Sequence, residues 1–148
     1  MKVDLKDLTQ DVLFKALPHT MAEDVDGRWV YNIKLHGDDA RITDSEFWVA
    51  VEGGKIEWSK GQTTDPDATL FEVLQGGVDT LIAFQTYGMK AATSAMLMGY
   101  ISTSSIKKAE KWFKLFRIGE DVIVEALKKE GIEVGDTSLP IYEELMLA

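Results

Sequence analysis

Cysteine is absent from the 148 residues, which excludes disulfides, thiolate catalysis and thiolate metal sites. Histidine occurs only at His19 and His36, and asparagine only at Asn32. No His-Glu-x-x-His, Gly-x-Ser-x-Gly or phosphate-cradling glycine loop is present, and no nucleophile can be paired with a base. The expectation is therefore a protein without catalytic residues, metal or cofactor. No segment reaches the roughly 20 uninterrupted apolar residues of a membrane span. Residues 1–15 mix acids and bases, unlike a signal peptide, and the chain does not end in Ser-Lys-Leu, so a cytoplasmic protein is expected. Positive charge is also scarce. A net charge of -9 repels a phosphate backbone, so no nucleic-acid partner is expected.

What is present fits one core. Residues 4–17 place Leu5, Leu8, Val12, Leu13, Ala16 and Leu17 at helical spacing, with Pro18 as the stop. Trp29, Tyr31, Ile33 and Leu35 alternate with polar residues as a half-buried strand, with Val30 the one apolar residue on its outer face. Residues 47–52 and 55–60 flank Gly53-Gly54, a two-residue hairpin turn. That turn sets Val51 opposite Ile56 and Val49 opposite Trp58 on a helix-facing side, leaving Lys55 and Glu57 to solvent. Residues 68–74 read equally as strand or helix. Two short helices, 78–87 and 90–98, break at Gly88, and 100–104 is a strand. Ser105 caps a helix to about 117, a further helix runs from 120 to 130, and a last one starts at Pro140. The class is α+β.

Gly53-Gly54-Lys55 is a hairpin rather than a phosphate loop. Asp38-Asp39 and Asp65-x-Asp67 are read as turn residues before metal ligands, and His36 as structural. The distinctive region is 78–116, where two short helices apolar on nearly all sides need two apolar neighbours. A sheet on one side and a ligand on the other would supply them. Methionines clustered there suit an adaptable, ligand-tolerant surface. Lys107, Lys108, Lys111, Lys114 and Arg117 form a basic stripe, read either as a solvated helix face or as a transient contact with anionic membranes.

From about residue 28 to 116 the order of these features resembles the sterol carrier protein type 2 family of lipid-transfer domains. The resemblance rests on the strand 29–36, the hairpin at Gly53-Gly54 and Pro66-Asp67-Ala68-Thr69-Leu70, which is similar to that family's Asp-x-Thr strand. It continues through the helix pair 79–98, then Met98-Gly99-Tyr100-Ile101, similar to a glycine-opened last strand, and the amphipathic helix 106–116. The last strand departs in lacking the family's basic residues and second glycine, with Ser104 near that position. The resemblance implies a single domain with a mainly antiparallel, five-stranded sheet, covered on one face by helices that enclose an apolar tunnel for a sterol, fatty acid or acyl-CoA. It makes 68–74 a strand and leaves 119–148 as a C-terminal helical extension.

The expected lining is Leu74, Leu81, Phe84, Tyr87, Met96, Trp112 and Phe116. The tail, 136–148, is expected to dock through Ile141, Tyr142, Leu145, Met146 and Leu147, either as a lid on the cavity or elsewhere, including a second subunit in a homodimer. The alternatives to a lipid carrier are an interaction or oligomerisation module with a collapsed cavity, and an accessory domain of an enzyme system.

Overall fold

In the computed structural model, which describes residues 2–23 and 25–146, the chain opens with strand β1 (Lys2–Val3), a 3-10 turn (Leu5–Asp7), helix α1 (Gln10–Ala16) and a second 3-10 turn (Leu17–Thr20). The single helix expected over 4–17 is thus broken at Thr9, which is extended at φ -89° and ψ 159°. Two tethers break it. Lys2 and Val3 pair in parallel with Glu133 and Val134. Gln10 is clamped to the 41–44 loop, its Oε1 accepting from the N–H groups of Thr43 at 2.9 Å and Asp44 at 3.0 Å. Pro18 does not stop the chain turning but enters the second 3-10 turn, near its start, where a missing N–H is tolerated. Leu5, Leu8, Leu13, Ala16 and Leu17 are still all buried.

The chain continues through β2 (Arg28–Leu35), β3 (Glu46–Glu52), β4 (Lys55–Lys60) and β5 (Thr69–Val73) to α2 (Gly77–Tyr87) and α3 (Met89–Leu97). It then runs through β6 (Ile101–Thr103), α4 (Ile106–Leu115), α5 (Glu120–Lys129), β7 (Glu133–Val134) and α6 (Pro140–Met146). The fold is α+β, with a five-stranded sheet in the order β4-β3-β2-β5-β6. It is antiparallel except between β2 and β5. Gly53 and Gly54, at φ 58° and 75°, close the β3–β4 hairpin. Val51 pairs with Ile56 and Val49 with Trp58, as the turn dictates. Trp58 turns to Phe14, ring centroids 5.9 Å apart, yet stays 38% exposed because β4 is the sheet edge. Lys55 and Glu57 face solvent.

β4 and β5 are parallel strands on opposite sides of β3 and β2, so residues 61–68 must cross the sheet. Asn32 holds that crossing: its Nδ2 donates to the Thr63 carbonyl at 3.0 Å, and its Oδ1 accepts from the Thr63 N–H at 2.8 Å. Val30, on the same outer face, is buried.

α2 packs against α3, α5 and α6, and α3 also packs against α6. The second apolar neighbour that these helices require is therefore the chain's own C-terminal part, not a ligand. Ile141 and Leu145 of α6 are buried there, the Tyr142 ring lies 4.6 Å from that of Tyr87, and Tyr100 Oη donates to Glu144 at 2.6 Å. Gly76, at φ 87°, leaves room for this docking. A Cβ there would lie 2.1 Å from Thr80 Oγ1 and 2.7 Å from Ile141 Cδ1. Leu147, part of the expected docking set, lies outside the described residues.

Candidate functional site

The inner face of the sheet carries Tyr31 and Ile33 from β2 and Phe71 from β5, placed together because alternate strand residues share a face. Leu81 and Phe84 of α2, three residues apart, meet them. Ala109, Trp112 and Phe113 of α4 close the space at i, i+3 and i+4. Ser105 positions α4 by accepting the Lys108 N–H at 3.2 Å on its hydroxyl. These eight residues surround a cavity of about 20 Å³, room for little more than one water. The rings fill the rest. Tyr31 and Trp112 meet edge to face at 5.3 Å, Phe71 and Phe84 at 6.1 Å, and Phe84 and Phe113 at 5.6 Å.

A groove of about 190 Å³ opens beside the cavity, between α3 and α4. Phe71, Ala109 and Phe113 border both spaces, so those residues are the partition. Met89, Met96 and Ile101 extend the groove wall, and Leu97 and Ile106 border it while standing 83% and 60% exposed. Thr93 and Glu110, both exposed, also border the groove, whereas the polar groups at the cavity are turned aside. Tyr31 Oη donates to the Lys108 carbonyl at 2.7 Å, and Trp112 Nε1 donates to Gln85 Oε1 at 2.6 Å. Burial pushes the Tyr31 phenol well up, so it stays a neutral donor.

Of the seven expected lining residues, Leu81, Phe84 and Trp112 border the cavity and Met96 borders the groove. The other three do not. Leu74 follows β5 on the Leu70–Glu72 face and is 40% exposed. Tyr87 turns from the cavity to Tyr142. Phe116 is buried behind the cavity, its ring 4.7 Å from that of Trp112. It also lies outside α4, since its backbone pairs with Met21 and is extended, ending the helix at Leu115 rather than about 117. Tyr31, Ile33, Phe71, Ala109 and Phe113 are lining residues outside the expected set. Strand alternation marks the first three as inward-facing, and helical spacing marks the other two. The lid expectation also changes: no described residue of α6 borders cavity or groove.

The basic stripe is uneven. Lys107, Lys108, Lys114 and Arg117 are exposed, whereas the half-buried Lys111 places its ammonium 4.9 Å over the Trp29 ring. Lys108 Nζ reaches the Asp67 carbonyl at 3.4 Å, and Arg117 Nη2 donates to the His19 carbonyl at 2.8 Å. The remaining polar candidates serve as clamps. His19 bonds Glu130 at 2.8 Å and His36 bonds Glu72 at 2.9 Å. Asp39 pairs with Arg41 at 3.0 Å and Asp65 with Arg28 at 2.6 Å. The Asp67 N–H and the Arg28 guanidinium hold the Asp65 carboxyl below the usual range. Among the described residues no group of three or more His, Asp or Glu is placed to hold a metal, and no helix is long and apolar enough to cross a membrane.

No family model and no curated protein matches the chain. Among solved structures, a double mutant of the sec-alkyl sulfatase PisA1 superposes at a TM-score of 0.59 and 16% identity, over 76% of this chain. The matched part is only 17% of the sulfatase chain. The stereoselective inverting sec-alkylsulfatase Pisa1 from Pseudomonas sp. gives 0.45 at 16% identity, over 71% of this chain and 14% of that one. TT1886 from Thermus thermophilus, a conserved hypothetical protein described as a candidate sterol carrier protein, gives 0.42 at 10% identity. That match covers 92% of this chain and 96% of TT1886. The last two superpositions are too loose to define a shared fold; the first shows that a segment of the sulfatase has this one. In the order of its strands and helices the chain resembles the sterol carrier protein type 2 family.

Proposed function

We propose that this protein is a non-catalytic, cytoplasmic carrier that binds the apolar chain of a fatty acid, acyl-CoA or sterol-like lipid beneath α4 and delivers it to anionic membranes. Residues 28–116 form the carrier core in this reading, and 119–148 an extension that buttresses it. The observation that carries it is the adjacency of groove and cavity, which share Phe71, Ala109 and Phe113 as a common wall. Ordinary ligand pockets run to roughly 300–1,000 Å³. The two spaces are smaller than that, so ligand entry requires the half-buried Phe113 ring to swing out and join them. Each Å² of apolar surface then removed from water contributes about 25 cal/mol.

A fluorescent fatty-acid probe tests this. Met96→Glu puts a carboxylate on the groove wall, and should weaken binding about tenfold or more while moving the melting temperature by only a few degrees. Phe113→Ala should strengthen or speed binding by removing the partition. Unchanged affinity in both variants would exclude the groove as the site.

The second reading is an interaction or oligomerisation module, favoured by a cavity of about 20 Å³ that the protein's own rings fill. It predicts no saturable probe binding and a dimer by light scattering. An accessory role within an enzyme system is supported only by the fold shared with part of PisA1.

A further inference from the structure

A third space lies on the other flank of α4, at the start of β2. This recess, about 120 Å³, is bordered by Arg28, Trp29, Tyr31, Asp67, Thr69 and Lys108 among others. Tyr31 borders both the recess and the apolar cavity, so that residue stands between the two. The recess, cavity and groove therefore succeed one another beneath α4, with the polar end at the recess.

One buried group in the recess lacks a partner, and one exposed charge there is uncommitted. Thr69 Oγ1 is buried, its residue 2% exposed, and has no hydrogen-bond partner among the described residues. A buried hydroxyl of that kind is costly unless something completes it. Lys108 is exposed, and its ammonium makes no ion pair among the described residues, reaching only the Asp67 carbonyl at 3.4 Å. The other charges are committed or turned outward. Arg28 is matched by Asp65 at 2.6 Å and Glu52 at 3.8 Å, Lys111 lies over Trp29, and Asp67 is an exposed residue.

We infer that this recess is a carboxylate site, in which Thr69 Oγ1 and Lys108 Nζ donate to the head of a fatty acid whose chain passes Tyr31 into the cavity. The inference rests on the proposed function, since it needs a chain beneath α4. It adds a direction, head at β2 and tail toward α3. It also gives a preference for a free acid over a neutral lipid of equal length.

Calorimetric titration with decanoate, methyl decanoate and acetate at neutral pH tests it, since a ten-carbon chain can reach beneath a helix about 10 Å wide. The wild type should bind decanoate about tenfold or more tighter than the ester, because a hydrogen bond to a charged group is the stronger kind. Acetate alone should give no measurable binding. Lys108→Met keeps the stem and removes the charge, and should bring decanoate down to the ester's affinity. Thr69→Val should weaken decanoate without lowering the melting temperature. Equal affinity for acid and ester in the wild type, a preference that survives Lys108→Met, or acetate binding as well as decanoate would overturn the head site while leaving a chain site standing. Failure of both amphiphiles to bind would remove the carrier reading itself, and this site with it.

Discussion

Arg41 is the most connected side chain outside the apolar site. It reaches Asp39 at 3.0 Å, Asp79 of α2 at 2.8 Å and the Lys6 carbonyl, so one guanidinium ties the 38–44 loop to two other parts of the chain. Burial pushes the Asp39 carboxyl up, but the hydrogen bonds from the Arg41 guanidinium and N–H outweigh it and hold it below the usual range. A carboxyl depressed in the folded state stabilises fully above its unfolded value, about pH 3.9, and loses that contribution as pH falls through the folded value. Asp39→Asn should therefore cost roughly 1–3 kcal/mol at pH 7. Its thermal midpoint should also fall less steeply than that of the wild type below pH 4, and parallel midpoint curves would refute this role for Asp39. The alternation that identifies Tyr31 and Ile33 also runs through 69–73. Once that segment is a strand, Phe71 faces inward and Leu74 shares the outer face with Glu72. With 68–74 a strand, alternation puts Phe71 with Thr69 and Val73, so expecting Leu74 in the lining takes the wrong face of that strand.

At the scale of elements, legibility followed locality. The β3–β4 hairpin is specified by its own turn, and its register is the one Gly53-Gly54 dictates. The break at Thr9, the pairing of β1 with β7, and the place where α6 docks are set by partners more than a hundred residues away or in another layer, which no local pattern records. α6 is a strut under α2 and α3, since Leu145 is fully buried there. Truncation after Gly135 should therefore cost roughly 2–5 kcal/mol or more, in line with deleting a buried leucine, and bring aggregation rather than faster ligand release. A truncated protein that melts normally but releases probe faster would restore the lid. α4 presents Lys107 and Lys114 outward with Lys111 beside them, each worth about 1 kcal/mol at an anionic surface. Replacing all three with Gln should slow transfer to anionic vesicles, leave transfer to zwitterionic ones nearly unchanged, and be mimicked by salt. Equal rates to both vesicle types in the wild type would return these lysines to ordinary surface.

Across the whole molecule, one apolar core extends from Leu5 to Leu145, with the candidate site at its α4 side. The sheet, the two central helices and the amphipathic α4 were legible because each carries its own period. The site was half legible. An all-round apolar helix shows that two neighbours are needed, but not whether ligand or protein supplies the second. Here α5 and α6 take the far side of α2, and the candidate cavity lies instead between α4 and the sheet. In the proposed carrier this space opens to a single apolar chain. Methyl-resolved NMR during titration with decanoate follows that opening. Saturable one-site shifts are expected at Leu81, Met96, Ile101 and Ala109, with Leu13, Leu127 and Leu145 unmoved. Shifts spread evenly over both sets, or none at the first set, would contradict it.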